Sequence, residues 1–374
     1  MKFVIAPDKF KGSLTGFEFC NAVEEGLRMV FRDAEIIKMP LADGGDGTIE
    51  VVQHYIEGEK INLMVNDPLF RPIRASYLYS PKNQSAYIEM AEASGLKLMK
   101  SNEINCAQSS TFGTGELIAD ALEKGIKEII LGIGGSATND GGMGMASALG
   151  YRFLNSQNEE LKPIGANLVE VQKIDTSKIH PKLREIKVKV ACDVANPFYG
   201  EQGAAKVYAA QKGASKEEVK HLDKGLRNFA KVISDKFGIE LQEIKGSGAA
   251  GGIGGGAIVF LKGGLTSGID LIKELSNFDT VIEGANWIIT GEGKLDEQTL
   301  SGKTIAGVIS SAAQKNIPVA ALCGSANISI GQQEAFGLKY VTSIVRGVSD
   351  LQRAIASSYD NLVTASFNFA NILK

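Results

Sequence analysis

The sequence predicts an α/β protein in which both ends of the chain form one parallel, doubly wound sheet and the middle forms an inserted domain. Predicted strands and helices alternate at both ends, and the alternation breaks off between residues 61 and 90. Glycine is enriched, at 43 of 374 residues, and clusters just behind the predicted strands. We place the boundaries so that 1–85 and 280–374 form the first domain and 86–279 the second.

The amino-terminal pattern is strand, helix, strand, helix. Residues 2–6 form a short apolar run that Pro7 closes, and residues 14–31 carry an apolar stripe near helical spacing. A second strand follows at 35–39 and a second helix at 48–56. Such alternation is typical of a parallel sheet.

The middle of the chain begins differently. The short strand-like runs 73–79 and 86–90 are separated by proline breakers, which indicates antiparallel hairpins. Alternation then resumes, and the remaining elements are helices at 115–123, 142–149, 216–237, 304–315 and 350–373, and strands at 128–133, 186–191, 287–290, 318–323 and 341–345.

Composition excludes several classes of protein. The net charge of −3 argues against a nucleic-acid wrapper or a polybasic membrane binder. Four cysteines without a CxxC pair and three histidines indicate neither a zinc cage nor a disulfide framework. The apolar run at 3–7 is too short for a signal peptide, and the tract 248–261 is too short and glycine-rich to cross a bilayer. We expect a soluble, cytoplasmic protein.

Ligands of open α/β sheets bind beyond the carboxyl ends of the strands. The first such loop, 6–15, offers Lys11 to a phosphate or carboxylate and Ser13 as a helix cap; the alternative is a capped helix with solvated lysines. The second, 41–48, holds Asp43 and Asp46 among three glycines. This pair suits Mg²⁺ or a hydroxyl nucleophile, and a tight turn is the alternative.

The third loop, 132–144, contains a G-x-G-x-x-A match to a dinucleotide fingerprint. Asn139, Asp140 and further glycines interrupt direct entry into a helix, and the expected partner acid is ill-defined. A bed of amides and hydroxyls for phosphate oxygens explains the whole segment better.

Two further loops carry candidates. Asp193 follows a predicted strand and suits a general base for an alcohol, or equally a helix or turn cap. The segment 246–256 holds seven glycines in eleven residues, which indicates close approach of the backbone to a ligand or another helix.

The sixth segment, 290–304, ends in Gly302-Lys303-Thr304 but lacks the first glycine of a Walker loop, where Glu297 stands. The GxSxG, HExxH and protein-kinase signatures are absent from the sequence. An inventory of amide cradles, lysines and carboxylates suits phosphoryl transfer, in which lysine and Mg²⁺ neutralise charge and an Asp accepts the hydroxyl proton.

Together the motifs resemble the bacterial type I glycerate kinase family. The matching segments are APDKFKGSLT at 6–15, PLADGGDGT at 40–48, AEASGL at 91–96, SSTFGTGELI at 109–118, GIGGSATNDGGMGM at 132–145, CDVANPFYGEQGAA at 192–205, GSGAAGGIGG at 246–255 and ITGEGKLDEQTLSGKT at 289–304.

The resemblance implies ATP-dependent phosphorylation of D-glycerate with Mg²⁺, giving 2-phosphoglycerate, by a monomer or homodimer. It also implies a Rossmann-like domain with a mixed α/β domain inserted into it, and substrate bound in the cleft between them. Lys11 and Lys294 would hold the substrate carboxylate and the transferring phosphate, and Asp43 and Asp46 would bind Mg²⁺. Asp193 would be the base, with Asp296 as its rival.

Other residues would bind substrate or phosphate on the same resemblance: Gly134, Gly135, Ser136, Thr138 and Asn139 as the phosphate cradle, with Asp8, Ser13, Asp140, Asn196, Gly252, Glu292 and Lys303. Three alternatives stay open at this point. They are a kinase for another small hydroxy acid, a nicotinamide-dependent oxidoreductase using residues 132–137, and a nucleotide sensor without turnover.

Overall fold

A computed structural model describes residues 1–43, 48–296 and 304–374, and the chain divides into two compact units. The terminal unit contains Met1–Asp43 and Ile269–Lys374, and the central unit contains Gly44–Gly268. Residues 44–47 and 297–303 lie outside the described ranges, and with them two of the predicted site residues, Asp46 and Lys303.

The strands are β1 (Lys2–Ile5), β2 (Glu35–Lys38), β3 (Glu59–Asn66), β4 (Pro72–Ser80), β5 (Ser85–Glu89), β6 (Glu128–Gly132), β7 (Arg152–Leu154), β8 (Lys173–Asp175), β9 (Lys187–Ala191), β10 (Gly264–Thr266), β11 (Trp287–Thr290), β12 (Lys294–Leu295), β13 (Val319–Cys323), β14 (Ser325–Ala326) and β15 (Leu338–Ser343).

The helices are α1 (Gly16–Arg28), α2 (Thr48–Tyr55), α3 (Ala91–Ser94), α4 (Phe112–Glu123), α5 (Met143–Ala148), α6 (Ala204–Tyr208), α7 (Lys216–Phe237), α8 (Ala249–Phe260), α9 (Gly268–Leu275), α10 (Phe278–Val281), α11 (Thr304–Gln314), α12 (Ile330–Phe336), α13 (Leu351–Ala356) and α14 (Ser358–Ile372).

The terminal unit is built on a parallel five-stranded sheet in the order β15-β13-β11-β1-β2. Phe3 of β1 pairs with Trp287 of β11 on one side and with Ile36 of β2 on the other. Phe3, Val4 and Ile5 are fully buried, as expected of a parallel strand covered on both faces. The ends of the chain therefore share one sheet, as the sequence predicts.

Helix α1 shows why this sequence covers the sheet as it does. Thr15 caps the helix in a capping box with Glu18, and Phe19, Val23 and Leu27 face the core. Helix α14 packs against it so closely that a Cβ at Gly26 would lie 2.4 Å from the carbonyl oxygen of Val363. Only glycine fits at that crossing.

The central unit is built on a mixed six-stranded sheet in the order β10-β9-β6-β5-β4-β3. The first four strands are parallel, and β4 pairs antiparallel with both β5 and β3, which confirms the predicted hairpins. Aromatic side chains fill the core beside the sheet, among them Phe153, Phe229 and Phe260. Helix α7 has the predicted bounds and begins at a Ser215–Glu218 capping box.

The α/β class is confirmed, and some boundaries differ from those predicted. Strands β3 and β4 belong to the central unit, so the unit begins well before residue 86. The helix predicted at 350–373 is two helices that meet at Ser357. Within the three described ranges, the structure contains no helix long and apolar enough to span a membrane.

Candidate active site

Three of the candidate loops of the terminal unit follow neighbouring strands. Asp8 comes after β1, Asp43 after β2, and Glu292 after β11. The chain turns in opposite directions from β1 to β2 and from β11 to β13, so the sheet has its topological switch point between β1 and β11. Ligands of open α/β sheets bind at such a point. The topology therefore gathers the predicted residues of this unit at one sheet edge.

Asp8 is the best-defined acid of this group. Its carboxylate accepts hydrogen bonds from the Thr304 hydroxyl and from the amide of Lys9, both at 2.7 Å. Burial and the nearby charge of Asp43 raise the pKa of Asp8 to about 6, while the bonds from Thr304 and Lys9 lower it. The charge of Asp43 therefore acts on a carboxyl group that is largely removed from water.

That pair fits a divalent cation. A cation would relieve the repulsion between Asp8 and Asp43, and Mg²⁺ needs only one or two carboxylates because it keeps several waters. A cluster of three or more His, Cys, Asp or Glu side chains placed to hold a metal is absent from residues 1–43, 48–296 and 304–374. The predicted ligand Asp46 lies outside those ranges.

The remaining residues of the terminal unit are mostly on the surface. Lys11 is exposed, and Lys294 forms an ion pair with Asp296 at 2.9 Å. A Cβ at Gly293 would lie 3.6 Å from the amide nitrogen of Lys11, so the loops after β1 and β11 are neighbours. Ser13 is not the cap of α1, which Thr15 provides; its hydroxyl bonds to that of Ser358 at 2.7 Å.

In the central unit the corresponding edge carries the loop between β6 and α5, residues 133–142, hereafter the β6–α5 loop. Two hydrogen bonds tie it to the end of α3 and the residues just after it. The amide of Leu96 donates to Gly135 O and the amide of Ala137 donates to Ser94 O, both at 2.9 Å. Gly134 and Gly135 are exposed, and Gly135 has a φ of +72°. Their amides donate no hydrogen bond to any residue that the structure describes.

Behind these glycines the loop is buried and polar. Thr138 and Asn139 are fully buried, yet the Thr138 hydroxyl and both polar atoms of the Asn139 amide have no hydrogen-bond partner in the described part of the chain. The hydroxyl of buried Ser247 is in the same state. Leaving such groups unpaired costs about 1–3 kcal/mol each, so they indicate a place for water or for polar ligand atoms.

Asp140 is buried and already has partners. Its Oδ2 atom accepts from the amide and hydroxyl of Thr111 and from the amide of Gly144, and its Oδ1 atom accepts from Gly142. Burial raises the pKa of this carboxyl, and the hydrogen bonds oppose that rise. The structure therefore gives Asp140 a role in holding the loop, and its contact with a ligand stays a prediction.

The loop after β9 holds the other predicted side chains. Asp193 is exposed, and its Oδ1 atom accepts a hydrogen bond from the amide of Gly268 at 3.0 Å. The Asn196 side chain bonds to Tyr208 Oη at 2.7 Å and to Gln202 O at 2.8 Å, so it fixes the shape of its own loop. Asp193 is thus an exposed carboxylate after the end of β9, and its role as the base stays a prediction.

The glycine-rich segment 246–256 supports the β6–α5 loop from another side. Its residues 250–252 adopt left-handed conformations inside α8. A Cβ at Gly251 would lie 2.0 Å from Thr138 O, and one at Gly252 would lie 3.0 Å from Gly141 Cα. Gly252, predicted to bind phosphate, thus packs on the loop. The segment thus approaches the backbone of the β6–α5 loop closely, and its predicted contact with a ligand stays a prediction.

One residue of this region is missing from the sequence prediction. The ammonium group of Lys212 is buried and donates hydrogen bonds to Ser136 Oγ at 2.6 Å and to Thr138 O at 2.9 Å. Its only sequence signal is the following Gly213, which ends a short 3₁₀ turn at a φ of +83°. A lysine among polar residues is usually solvated, so sequence alone gives no reason to select it.

Two α/β units, each with glycines, acids and lysines gathered at the carboxyl ends of parallel strands, define a class of enzyme that binds phosphate groups. Comparison with known proteins narrows this class. The profile described as the glycerate kinase family matches residues 3–374.

Individual relatives agree over nearly their whole length. The chain is 42% identical to a glycerate kinase of Halalkalibacterium halodurans over 98% of this chain and 97% of that protein. It is 39% identical to the glycerate 2-kinase of Escherichia coli over 100% of this chain and 98% of that protein. A crystal structure from Salmonella typhimurium, assigned as glycerate kinase 2, matches with a TM-score of 0.90 and 38% sequence identity. The match covers 100% of this chain and 98% of that one.

The chain belongs to the glycerate kinase family, and it is a kinase, a phosphotransferase. The resemblance found in the sequence is thereby confirmed. The nicotinamide alternative loses its support, because β6 ends at Gly132 and α5 begins only at Met143, whereas a dinucleotide fingerprint leads directly into its helix.

Proposed function

We propose that this kinase transfers the γ-phosphoryl group of ATP to D-glycerate, with Mg²⁺, and releases ADP and 2-phosphoglycerate. The family supports glycerate as the acceptor. The name of the Escherichia coli relative, glycerate 2-kinase, supports the position of the new phosphate.

The observation that carries the proposal is the β6–α5 loop. Gly134 and Gly135 are exposed just after a parallel strand, and within the described ranges their amides donate no hydrogen bond. Backbone amides in such a position can bind phosphate oxygens. The left-handed Gly135 turns the chain there without the steric cost that a side chain would carry. We assign the ATP phosphates to this loop, and Ser136 as a further donor.

The transfer itself needs an acceptor for one proton. A glycerate hydroxyl oxygen attacks the γ-phosphorus, the bond from that phosphorus to the β-phosphate oxygen breaks, and the hydroxyl proton passes to a carboxylate. Asp193 is our candidate for that carboxylate, because it is exposed and its position is set by the bond from Gly268. Asp296 is the rival, and its ion pair with Lys294 favours a positioning role instead.

The lysines neutralise charge. Lys11 lies on the loop after β1 and Lys294 begins the short strand β12, and both residues are exposed. A lysine ammonium acts as a mobile point charge toward carboxylate or phosphate oxygens. We assign these two residues to the glycerate carboxylate and the transferring phosphate.

Asp43 and Asp8 would hold Mg²⁺ together with water, and Asp46 is predicted to join them. When bound, Mg²⁺ neutralises phosphate charge during transfer. The like-charged pair supports this assignment, since two carboxylates close enough to raise the pKa of one gain from a shared cation.

A ³¹P NMR spectrum of the product formed from ATP and D-glycerate tests the proposal. A resonance of 2-phosphoglycerate together with ADP supports it. The 3-phosphate would correct the position, and ATP binding without ADP formation would favour a nucleotide sensor. Parallel assays of ADP release with glycolate and lactate check the acceptor, since faster release with either would point to another hydroxy acid.

A further inference from the structure

The buried Lys212 has no part in the chemistry described above, although it touches the β6–α5 loop. It ends a 3₁₀ turn at Ala210–Lys212, and its carbonyl oxygen accepts a hydrogen bond from the amide of Cys106 at 2.9 Å. A Cβ at Gly213 would lie 1.9 Å from Ile104 O, so this turn sits tightly against the chain before Cys106. The backbone of Lys212 is therefore held on both sides.

From this fixed base the side chain reaches the inner side of the loop. The ammonium group donates to Ser136 Oγ at 2.6 Å and to Thr138 O at 2.9 Å, so its two bonds flank Ala137. Charge-assisted hydrogen bonds of this kind are roughly twice as strong as neutral ones. They fix Ser136, which directly follows Gly135, and Thr138, two residues further on.

We propose that Lys212 is a positioning residue that holds the β6–α5 loop in the conformation that binds the phosphates of ATP. This inference rests on the proposed function, because it takes the loop as the phosphate site. The buried cation acts through Ser136 and Thr138 and also places a positive charge beside a loop that receives an anion.

The electrostatic surroundings fit this role. The charged or titratable groups that act on Lys212 are Asp140 on the loop itself and Cys106 on the adjoining segment. Burial lowers the pKa of Lys212 to about 8, while Asp140 and Cys106 oppose that shift. The fold therefore keeps a lysine that loses its charge in mildly alkaline solution, where an arginine would keep it.

Three variants test the proposal in steady-state assays with ATP and D-glycerate: Lys212→Met, Lys212→Arg, and the control Lys220→Met, whose lysine is exposed on α7. We expect Lys212→Met to raise KM for ATP about tenfold or more, as loss of hydrogen bonds to a charged group does. KM for D-glycerate should stay within about twofold, and Lys212→Arg should recover part of the ATP affinity. The control should match the wild type.

Hydrogen exchange of the unliganded protein gives a second readout that does not depend on turnover. Amides of residues 133–142 should exchange faster in Lys212→Met than in the wild type and the Lys220→Met control. If the wild type makes no ADP from D-glycerate, the proposed function fails, and the exchange rates alone then decide whether Lys212 positions the loop.

Two results would overturn the proposal. One is a Lys212→Met enzyme with lowered kcat but unchanged KM for ATP, which signals only a smaller folded fraction. The other is unchanged exchange of the loop. Should Lys212→Met fail to fold, KM for ATP measured from about pH 7 to about pH 9 decides: it should rise in the wild type and stay level in Lys212→Arg. A level profile in both would refute the role.

Discussion

Asp140 accepts two hydrogen bonds from Thr111, one from its amide and one from its hydroxyl, both at 2.8 Å. The same hydroxyl of Thr111 accepts a hydrogen bond from the amide of Met145 at 2.8 Å. Two motifs far apart in the sequence, 109–118 and 132–145, are thereby joined in the interior of the central unit. The acid in the second motif serves as the acceptor at the centre of this joint.

Replacing Asp140 should therefore destabilise the central unit. Asp140→Asn puts an amide donor among groups that all donate, and leaves at least one buried N–H unpaired. We expect the free energy of unfolding to fall by about 2–3 kcal/mol. Urea denaturation followed by circular dichroism measures it. Asp235→Asn is the control, because Asp235 is exposed on α7 and should change stability little. Equal stabilities of the two variants would contradict the assignment.

Gly251 in α8 and Gly238 at the end of α7 permit a similarly matched comparison. Gly251 and Gly238 both have left-handed backbone, with φ of +76° and +69°. A Cβ at Gly251 would lie 2.0 Å from Thr138 O, whereas one at Gly238 would meet no atom within 4 Å. Gly238→Ala should cost about 1–2 kcal/mol, the price of the conformation alone. Gly251→Ala should cost clearly more in the same urea titration, and equal losses would show that the loop adjusts freely.

Much of this architecture follows from local signals in the sequence. Helix α7 has its predicted bounds because Ser215 and Glu218 form a capping box at one end and Gly238 ends the helix at the other. The motif loops were predicted because glycines and acids follow apolar runs. Because the strands are parallel, the loops of each unit meet at one sheet edge, and the candidate residues lie there.

What the sequence leaves open depends on long-range pairing. Nothing local decides that β4 pairs with both β3 and β5, and that choice moves residues 48–85 into the central unit. The role of a polar residue is equally hidden. Asp140 and Lys212 read as surface or ligand-binding residues in the sequence, and only burial identifies them as supports of the loop.

The acids of the terminal unit predict a response to Mg²⁺. A cation held by Asp8 and Asp43 stabilises the folded state, by about 2.7 kcal/mol at a concentration near 100 times its Kd. Trp287 is the single tryptophan of the chain and lies in this unit, so its fluorescence follows unfolding there. Mg²⁺ should raise the melting temperature of the wild type, and Asp43→Asn should lose the effect. NaCl at equal ionic strength is the control. An equal rise of the melting temperature with NaCl would show that Asp8 and Asp43 do not form a Mg²⁺ site.

Lys212 predicts a dependence of stability on pH. Its pKa is about 8 in the folded state and near the ordinary 10.5 when unfolded, so between these values the unfolded state binds more protons. Stability from this group is complete above about 10.5 and is lost as the pH falls through about 8. As the pH rises across that window, the free energy of unfolding of the wild type should increase relative to that of Lys212→Met by about 1 kcal/mol per pH unit. Circular dichroism is the probe, because Trp287 reports on the other unit.

The choice between Asp193 and Asp296 as the base can be made with isosteric variants. In Asp193→Asn the side-chain amide oxygen can still accept the hydrogen bond from Gly268, so the loop should hold its shape. The amide cannot take up the hydroxyl proton as a carboxylate does. General-base assistance contributes about 10²–10⁴ in rate, and kcat should fall by that factor with stability unchanged. Asp296→Asn should instead weaken the interaction with the Lys294 ammonium group and change KM more than kcat. ADP release measured for both variants decides, since a larger loss of kcat in Asp296→Asn would transfer the role to Asp296.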